Sequence, residues 1–230
     1  MNYISKYTLL ILSFLFSLNS FAEGKNKRLV SGKVDGHSYV DLGLPSKTLW
    51  AAYNLGAEQS IEYGQYYAWG ETDEKDEYKW RNYKWGNKKL TKYNSDKIYG
   101  SVDNKHCLDE EDDAAISNWG PKWSLPSRTQ FQELLKWCNW EWVENYAGSG
   151  VNGYKGVSQL NKKIIFFPAS GYYGNSDFVE EGECAAFWTS TAFDDDSYGA
   201  YATQFTSKGS EWKDISRYCG LSVRAVTRKY

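Results

Sequence analysis

The sequence predicts a mixed α+β fold, in which short antiparallel strands are joined by long loops and only two short helices. Three observations carry this. Helix signals occur in two brief stretches, one by apolar spacing and one by a cap with an acidic first turn, whereas strand-like runs recur along most of the chain. Ile164-Ile165-Phe166-Phe167 is a continuous apolar run stopped by Pro168, as expected of a buried central strand. Leu221-Ser222-Val223-Arg224-Ala225-Val226 closes the chain in strict alternation, the period of a half-buried strand.

The first residues read as a secretory signal. Met1 to Lys6 is a short n-region, Tyr7 to Leu18 an apolar run, and Ser20-Phe21-Ala22 a small-x-small cleavage site before Glu23. The apolar run is shorter than the roughly 20 residues that a bilayer-spanning helix needs. No cysteine stands at the cleavage site, which disfavours a lipoprotein. Residues 1–22 are therefore expected to be removed, giving an exported chain in the periplasm, at the cell surface or outside the cell. No integral membrane segment is expected to remain. The mature chain would hold 26 basic and 29 acidic side chains, a net charge of −3. That balance supplies no electrostatic footprint for nucleic acid or for an anionic membrane.

Residues 23–36 read as a polar lead-in, and residues 37–230 as a single domain. Tyr39-Val40-Asp41-Leu42 is strand-like, turns at Gly43-Leu44-Pro45-Ser46 and resumes at Thr48-Leu49-Trp50-Ala51, since Gly and Pro end ladders. Ser60–Tyr63 reads as a helical turn leading into Tyr66-Tyr67-Ala68-Trp69. Residues 71–106 form a long, charged excursion without periodicity, in which Tyr78-Lys79-Trp80 is echoed by Tyr83-Lys84-Trp85. Long loops of this kind are uncommon in compact domains and are often functional. Asp109 is expected to cap a short helix running to Asn118. Glu110, Glu111, Asp112 and Asp113 in its first turn complement the helix dipole. A calcium loop is the sharper reading of these acids, but its interleaved glycine and spacing are missing.

The firmest local signal is Trp123-Ser124-Leu125-Pro126-Ser127-Arg128-Thr129-Gln130-Phe131. Ser127 is a good N-cap, and Gln130 stands where it can close a capping box. Phe131, Leu134, Leu135 and Cys138 then share one helical face. Ala186–Thr191 and Tyr201–Phe205 read as two further strands. The chain is also rich in Trp (11) and Tyr (19) with a single Met. Such flat side chains with polar tips suit a loop-rich fold and a contact surface, although most are expected to serve as packing.

Little recognisable chemistry is present. Two histidines, His37 and His106, exclude a three-histidine metal site, and the common metalloprotease, redox and hydrolase motifs are missing. The adjacent His106-Cys107 reads as an exposed loop, and the glycines at 148–153 do not open a helix as phosphate loops do. No catalytic residue, metal site or cofactor is assigned. Acid pairs suited to glycoside hydrolysis are not identifiable from sequence. Four cysteines, Cys107, Cys138, Cys184 and Cys219, permit two disulfides in three pairings. A buried free thiol is an equal reading for Cys138. Cys184 and Cys219, each in a strand-like segment, are the preferred pair.

Several segments in order resemble the Fibrobacter succinogenes major paralogous domain family of secreted Bacteroidetes-type proteins. They are Tyr39–Trp50, Glu62-Tyr63-Gly64, Tyr67–Thr72, Asp112–Ala115, Trp119–Pro126, Asn152-Gly153-Tyr154, Phe167–Tyr172 and Gly220–Arg224. The resemblance implies a C-type-lectin-like fold, related to the formylglycine-generating enzyme domain and to the variable proteins of diversity-generating retroelements. In those variable proteins the segment before the last strands displays changeable residues. The equivalent here is about Phe193–Tyr218, read as loops. The cysteine pair of the formylglycine-generating relative is broken, because position 214 is Asp rather than a partner for Cys219. The implied function is a non-enzymatic binding module for an unidentified surface ligand, glycan or protein. Its expected contact residues are Tyr198, Tyr201, Trp212 and Tyr218, with Asp194, Asp195 and Asp196 beside them. A hydrolase or oxidase, and a structural subunit of an envelope assembly, are the rival classes. In this fold type the last strands share one antiparallel sheet, which would place Cys184 and Cys219 within disulfide reach.

Overall fold

A computed structural model describes residues 30–86, 88–175 and 177–228. The expected signal segment and the first part of the lead-in lie outside the described residues. In chain order the strands are β1 (Gly32–Val34), β2 (His37–Val40), β3 (Thr48–Ala51), β4 (Tyr66–Tyr67), β5 (Cys138–Val143), β6 (Gly153–Ser158) and β7 (Ile164–Pro168). They continue with β8 (Ser170–Gly174), β9 (Asp177–Glu181), β10 (Cys184–Ala192), β11 (Gly199–Thr206), β12 (Gly209–Ser216), β13 (Leu221–Ser222) and β14 (Val226–Arg228). The α-helices are α1 (Ala114–Trp119) and α2 (Arg128–Trp137). The chain is thus α+β, with strands predominating.

A four-stranded antiparallel sheet has the order β1-β2-β3-β14. Its first hairpin turns at Asp35-Gly36, both with positive φ, the backbone that a two-residue hairpin turn demands. Gly32–Val34, read from sequence as part of a lead-in, is therefore a strand of the domain. A three-stranded antiparallel sheet has the order β5-β6-β7. The largest sheet runs β12-β11-β10-β13-β4, and β8 with β9 attaches to the other end of β10.

Strand β10 organises the interior because it is apolar on both faces. Cys184, Ala186 and Trp188 point to one side, where they meet Ala200, Ala202, Trp69, Trp123 and Ala114–Ala115 of α1. Ala185 and Phe187 point to the other, against Phe205, Trp50, Phe167 and Phe131 and Leu134 of α2. Period-two alternation on one strand thus divides the core into two layers. Burial of Phe131 and Leu134 contributes about 1.5–3 kcal/mol each. Helix α2 starts as its sequence requires, with Gln130 N–H donating to Ser127 Oγ (3.2 Å) and Ser127 N–H donating to Gln130 Oε1 (2.8 Å).

Five further sequence expectations need correction. The cap of the first helix is Asp113, whose Oδ1 accepts from Ala115 N–H and Ile116 N–H; Asp109 precedes only a 3-10 turn. The Ile164–Phe167 run is β7, which among the described residues pairs only with β6. It is buried because other layers cover it, and the central strand is β10. The closing alternation is not one strand, because the chain passes at Val223–Ala225 from the large sheet to the four-stranded one. Ser222 and Arg224, at the outward positions of that alternation, are fully buried in the crossing. Arg224 donates to Asn54 Oδ1, to the carbonyls of Ala51, Ala52 and Phe166, and lies 4.5 Å from the centre of the Phe167 ring. Much of Phe193–Tyr218 is the β11–β12 hairpin rather than loop.

The fifth concerns the cysteines. All four are free thiols, three of them buried. Strands β10 and β13 are parallel neighbours, not antiparallel ones. The Cys184 sulfur accepts from the side-chain amide of Gln204 on β11 at 2.9 Å.

Candidate functional site

The long excursion is ordered by the polar tips of its own aromatic residues. Tyr78 Oη donates to the Tyr66 carbonyl (2.6 Å), Tyr83 Oη to that of Trp69 (2.8 Å), and Trp85 Nε1 to that of Gly70 (2.8 Å). Three rings of the Tyr-Lys-Trp echo therefore lash an irregular loop to the backbone around β4, replacing the ladder bonds that it lacks. Trp80 is the fourth ring of the echo. It sits in a 3-10 turn, Trp80–Asn82, fastened by Lys79 N–H donating to Asn82 Oδ1 and Asn82 Nδ2 donating to the Glu77 carbonyl. Its indole N–H has no protein acceptor among the described residues, and the ring is half-buried against Tyr83.

Tyr198 and Tyr218 converge on Trp80. Each tyrosine ring stands edge-on to Trp80 at 5.0 Å between centroids, and Tyr99 continues the row at 4.8 Å from Tyr198. Tyr99, Tyr198, Trp80 and Tyr218 thus make one half-buried aromatic strip from two distant parts of the chain. Asp196 Oδ1 accepts from Tyr198 N–H at 2.8 Å, which sets the turn that presents the ring. The Asp196 charge and partial burial raise the Tyr99 phenol, while burial raises that of Tyr218, so both rings keep neutral hydroxyls at neutral pH.

Beneath the strip lies Arg217, fully buried. It donates to the carbonyls of Gly199 (2.9 Å) and Tyr93 (2.8 Å) and stacks 4.6 Å from the centre of the Trp69 ring. One guanidinium therefore ties the β11–β12 hairpin to the excursion, fixing the two sources of the strip relative to each other. Burial pulls its pKa below the ordinary arginine value.

The other expected contact residues lie elsewhere. Tyr201 and Trp212 point to the α2 side of the hairpin, 6.5 Å apart, and the Arg128 guanidinium stacks 3.9 Å from the Tyr201 centroid. Tyr201 is only 8% exposed, and its hydroxyl donates to Asp194 Oδ2 at 3.1 Å. Trp212 is half-buried against Phe131. Asp195 is exposed. The seven-residue set therefore divides: Tyr198, Tyr218 and Asp196 belong to the strip, Tyr201, Trp212 and Asp194 to the α2 packing. Sequence reasoning missed Trp80, Tyr99 and Arg128. The signal for Trp80 was the Tyr-Lys-Trp echo, which marks a ring that recurs without a periodic element to bury it.

The acidic run has its own role. Asp109, Glu111 and Asp112 bring carboxylate oxygens close together, and the Lys92 ammonium lies among them at 2.6, 3.0 and 2.6 Å. A lysine thus occupies the place where a cation would sit. Burial opposes its charge, but hydrogen bonds to Asp109, Asp112 and Glu111 prevail and raise its pKa. Among the described residues, no helix is long and apolar enough to cross a membrane. Compared with known proteins, the chain matches no family model, no curated protein and no solved structure.

Proposed function

We propose that the chain is an exported, non-enzymatic binding module on a C-type-lectin-like scaffold, and that the Tyr99–Tyr198–Trp80–Tyr218 strip is its ligand surface. The carrying observation is the half-buried Trp80, whose indole N–H, unlike the polar tips of the other three rings of the echo, is not spent on a backbone carbonyl. Large rigid rings contribute contact area at low entropic cost. A row of ring faces and edges tipped with hydroxyls, bordered by one carboxylate, suits the apolar faces and hydroxyls of a saccharide. The buried Arg217 supports this reading, because it preorganises the strip from below. Thiol chemistry is disfavoured by burial, which pushes Cys184 up to about 12 and Cys219 up to about 11.

The test is glycan-array screening of the mature chain, followed by calorimetry on the hits. W80A should abolish binding while W80F retains a measurable part of it, both with unchanged circular dichroism. Undiminished binding by W80A, or turnover of a bound glycan, would refute the proposal.

A further inference from the structure

Strand β12 closes one edge of the largest sheet. At eight residues it is the longest edge strand among the described residues, against six in β5. Its pairing with β11 fixes which backbone groups are left over. The register runs without a bulge from Gly199↔Ser216 to Thr206↔Gly209, and just beyond it Arg217 N–H donates to the Tyr198 carbonyl (3.0 Å). Hydrogen-bonded and non-bonded pairs alternate along an antiparallel ladder. Gly209, Glu211, Lys213 and Ile215 therefore bond to β11, and the N–H and C=O groups of Ser210, Trp212 and Asp214 point away from it. Among the described residues, the backbone groups of those three have no other partner. Ser210, Glu211 and Asp214 are exposed.

An open edge is a template for another strand, and its side chains decide which strand fits. A two-fold axis has to set outward groups opposite outward groups, so it passes through a residue of β12 rather than between two. Through Glu211 it would set two glutamates face to face, through Lys213 two lysines, and through Asp214 two aspartates. Like charges directly opposite each other destabilise a sheet. Axes nearer either end overlap only part of the strand. Through Trp212, by contrast, Glu211 faces the second copy's Lys213. That is a non-bonded pair, in which Cα atoms stand about 4.5 Å apart and side chains are closest. Within one chain Glu211 already pairs with Lys213 at 2.8 Å. The four side chains then form a square of alternating sign. In the same register Ser210 meets the second copy's Asp214, and the half-buried Trp212 ring meets its own copy on the α2 side.

We propose that the chain forms a two-fold symmetric dimer by antiparallel pairing of β12 with β12 of a second copy, centred on Trp212. An isologous contact requires one patch that is complementary to itself, and the spacing of Glu211 and Lys213 about Trp212 provides it. Charges on an edge strand commonly keep other strands away. Here a single register turns them into attraction, and that register is also one that aligns the free backbone groups. Ser210 N–H and C=O bond to the second copy's Asp214, and those of Trp212 to its own copy. The contact shares no residue with the aromatic strip and does not depend on it.

The experiment is sedimentation velocity of the mature chain from micromolar to near-millimolar concentration, with amide hydrogen exchange at both ends of that range. A monomer–dimer equilibrium is expected, weakening as salt is raised. K213E sets two glutamates against each other across the axis and should weaken the dimer about tenfold, as should E211K. E211K/K213E restores opposite charges across the axis and should dimerise as the wild type does, which separates pairing from any loss of folding in the single variants. The Ser210, Trp212 and Asp214 amides should gain protection in the dimer, whereas those of Glu211 and Lys213 should be protected at every concentration. W80A should dimerise as the wild type does, so failure of the strip and failure of this pairing are distinguishable. A monomer at every concentration would leave the edge to a strand of some other protein and overturn the proposal. A dimer undiminished in K213E, not restored in E211K/K213E, or with freely exchanging Ser210, Trp212 and Asp214 amides would overturn it equally.

Discussion

Replacing Lys92 by methionine isolates the electrostatics that hold the excursion against the start of α1. The ammonium bridges Asp109, Glu111 and Asp112, its own side chain is 14% exposed, and that of Asp112 is 1% exposed. Breaking a buried ion pair by removing one partner costs about 3–5 kcal/mol. The cost here should fall below that range, because Asp112 keeps Lys84 at 3.1 Å and the Tyr93 hydroxyl at 2.5 Å. We therefore expect K92M to lose about 2–3 kcal/mol, seen as a drop in melting temperature of about 5–10 °C. K92M/D112N should recover part of the loss, since the stranded charge is then gone. A pH series adds a signed check. Hydrogen bonds from Lys105 and then Lys92 hold the Asp109 carboxyl below its ordinary value. Its stabilising contribution is therefore complete above the unfolded aspartate pKa and is lost as pH falls through the lower folded one. K92M should show a shallower acid limb. Urea denaturation placing K92M within about 0.5 kcal/mol of wild type, with no rescue in the double variant, would refute the reasoning.

Two other outcomes are expected. Asp113 is buried and its carboxyl is pushed up to about 6 by desolvation, against backbone N–H donations from Leu125, Ile116 and Ala115. Its folded pKa lies above the unfolded one, so its contribution is present below about pH 3.8 and lost as pH rises toward 6, by at most about 3 kcal/mol. D113N should lack that slope, and a carboxyl titration by NMR below 3.8 would show that the three donors outweigh burial. Gly220 sits against the Tyr78 ring, where an added Cβ would lie 2.6 Å from two ring carbons. G220A should cost about 1–3 kcal/mol and speed proteolysis between residues 71 and 86, because Tyr78 anchors that segment. An unchanged melting temperature and cleavage rate would contradict that placement.

Local features were legible wherever a short stretch contained its own cause. Ser127 and Gln130 specify the start of α2 through neighbours three residues apart, and the structure contains both bonds of the capping box. The Phe131 and Leu134 face, the β10 run and the strand Thr48–Ala51 follow from apolar periodicity alone. The echoed Tyr-Lys-Trp marked the excursion as something other than a linker. Legibility stopped where a residue's role depends on a partner far along the chain. Gly209–Ser216 is polar and weakly alternating, and it is a strand because β11 offers it a complete ladder. Ser222 and Arg224 occupy outward positions of an alternating run, yet crossing between two sheets buries both sides of the backbone.

By itself, then, the sequence determined the α+β class, the start of α2, the aromatic core and the irregular excursion, because these rest on short-range periodicity, capping and composition. Tertiary structure alone decided which aromatic rings meet. Tyr198 and Tyr218 join Trp80 across more than 110 positions, whereas Tyr201, three residues from Tyr198, faces the other side of the hairpin under Arg128. It also placed Lys92 among the acids and turned the Cys184 sulfur toward Gln204. The physical reason is the period of a strand. One step along it reverses the side a residue faces, so which surface a ring joins is settled by the pairing of distant strands.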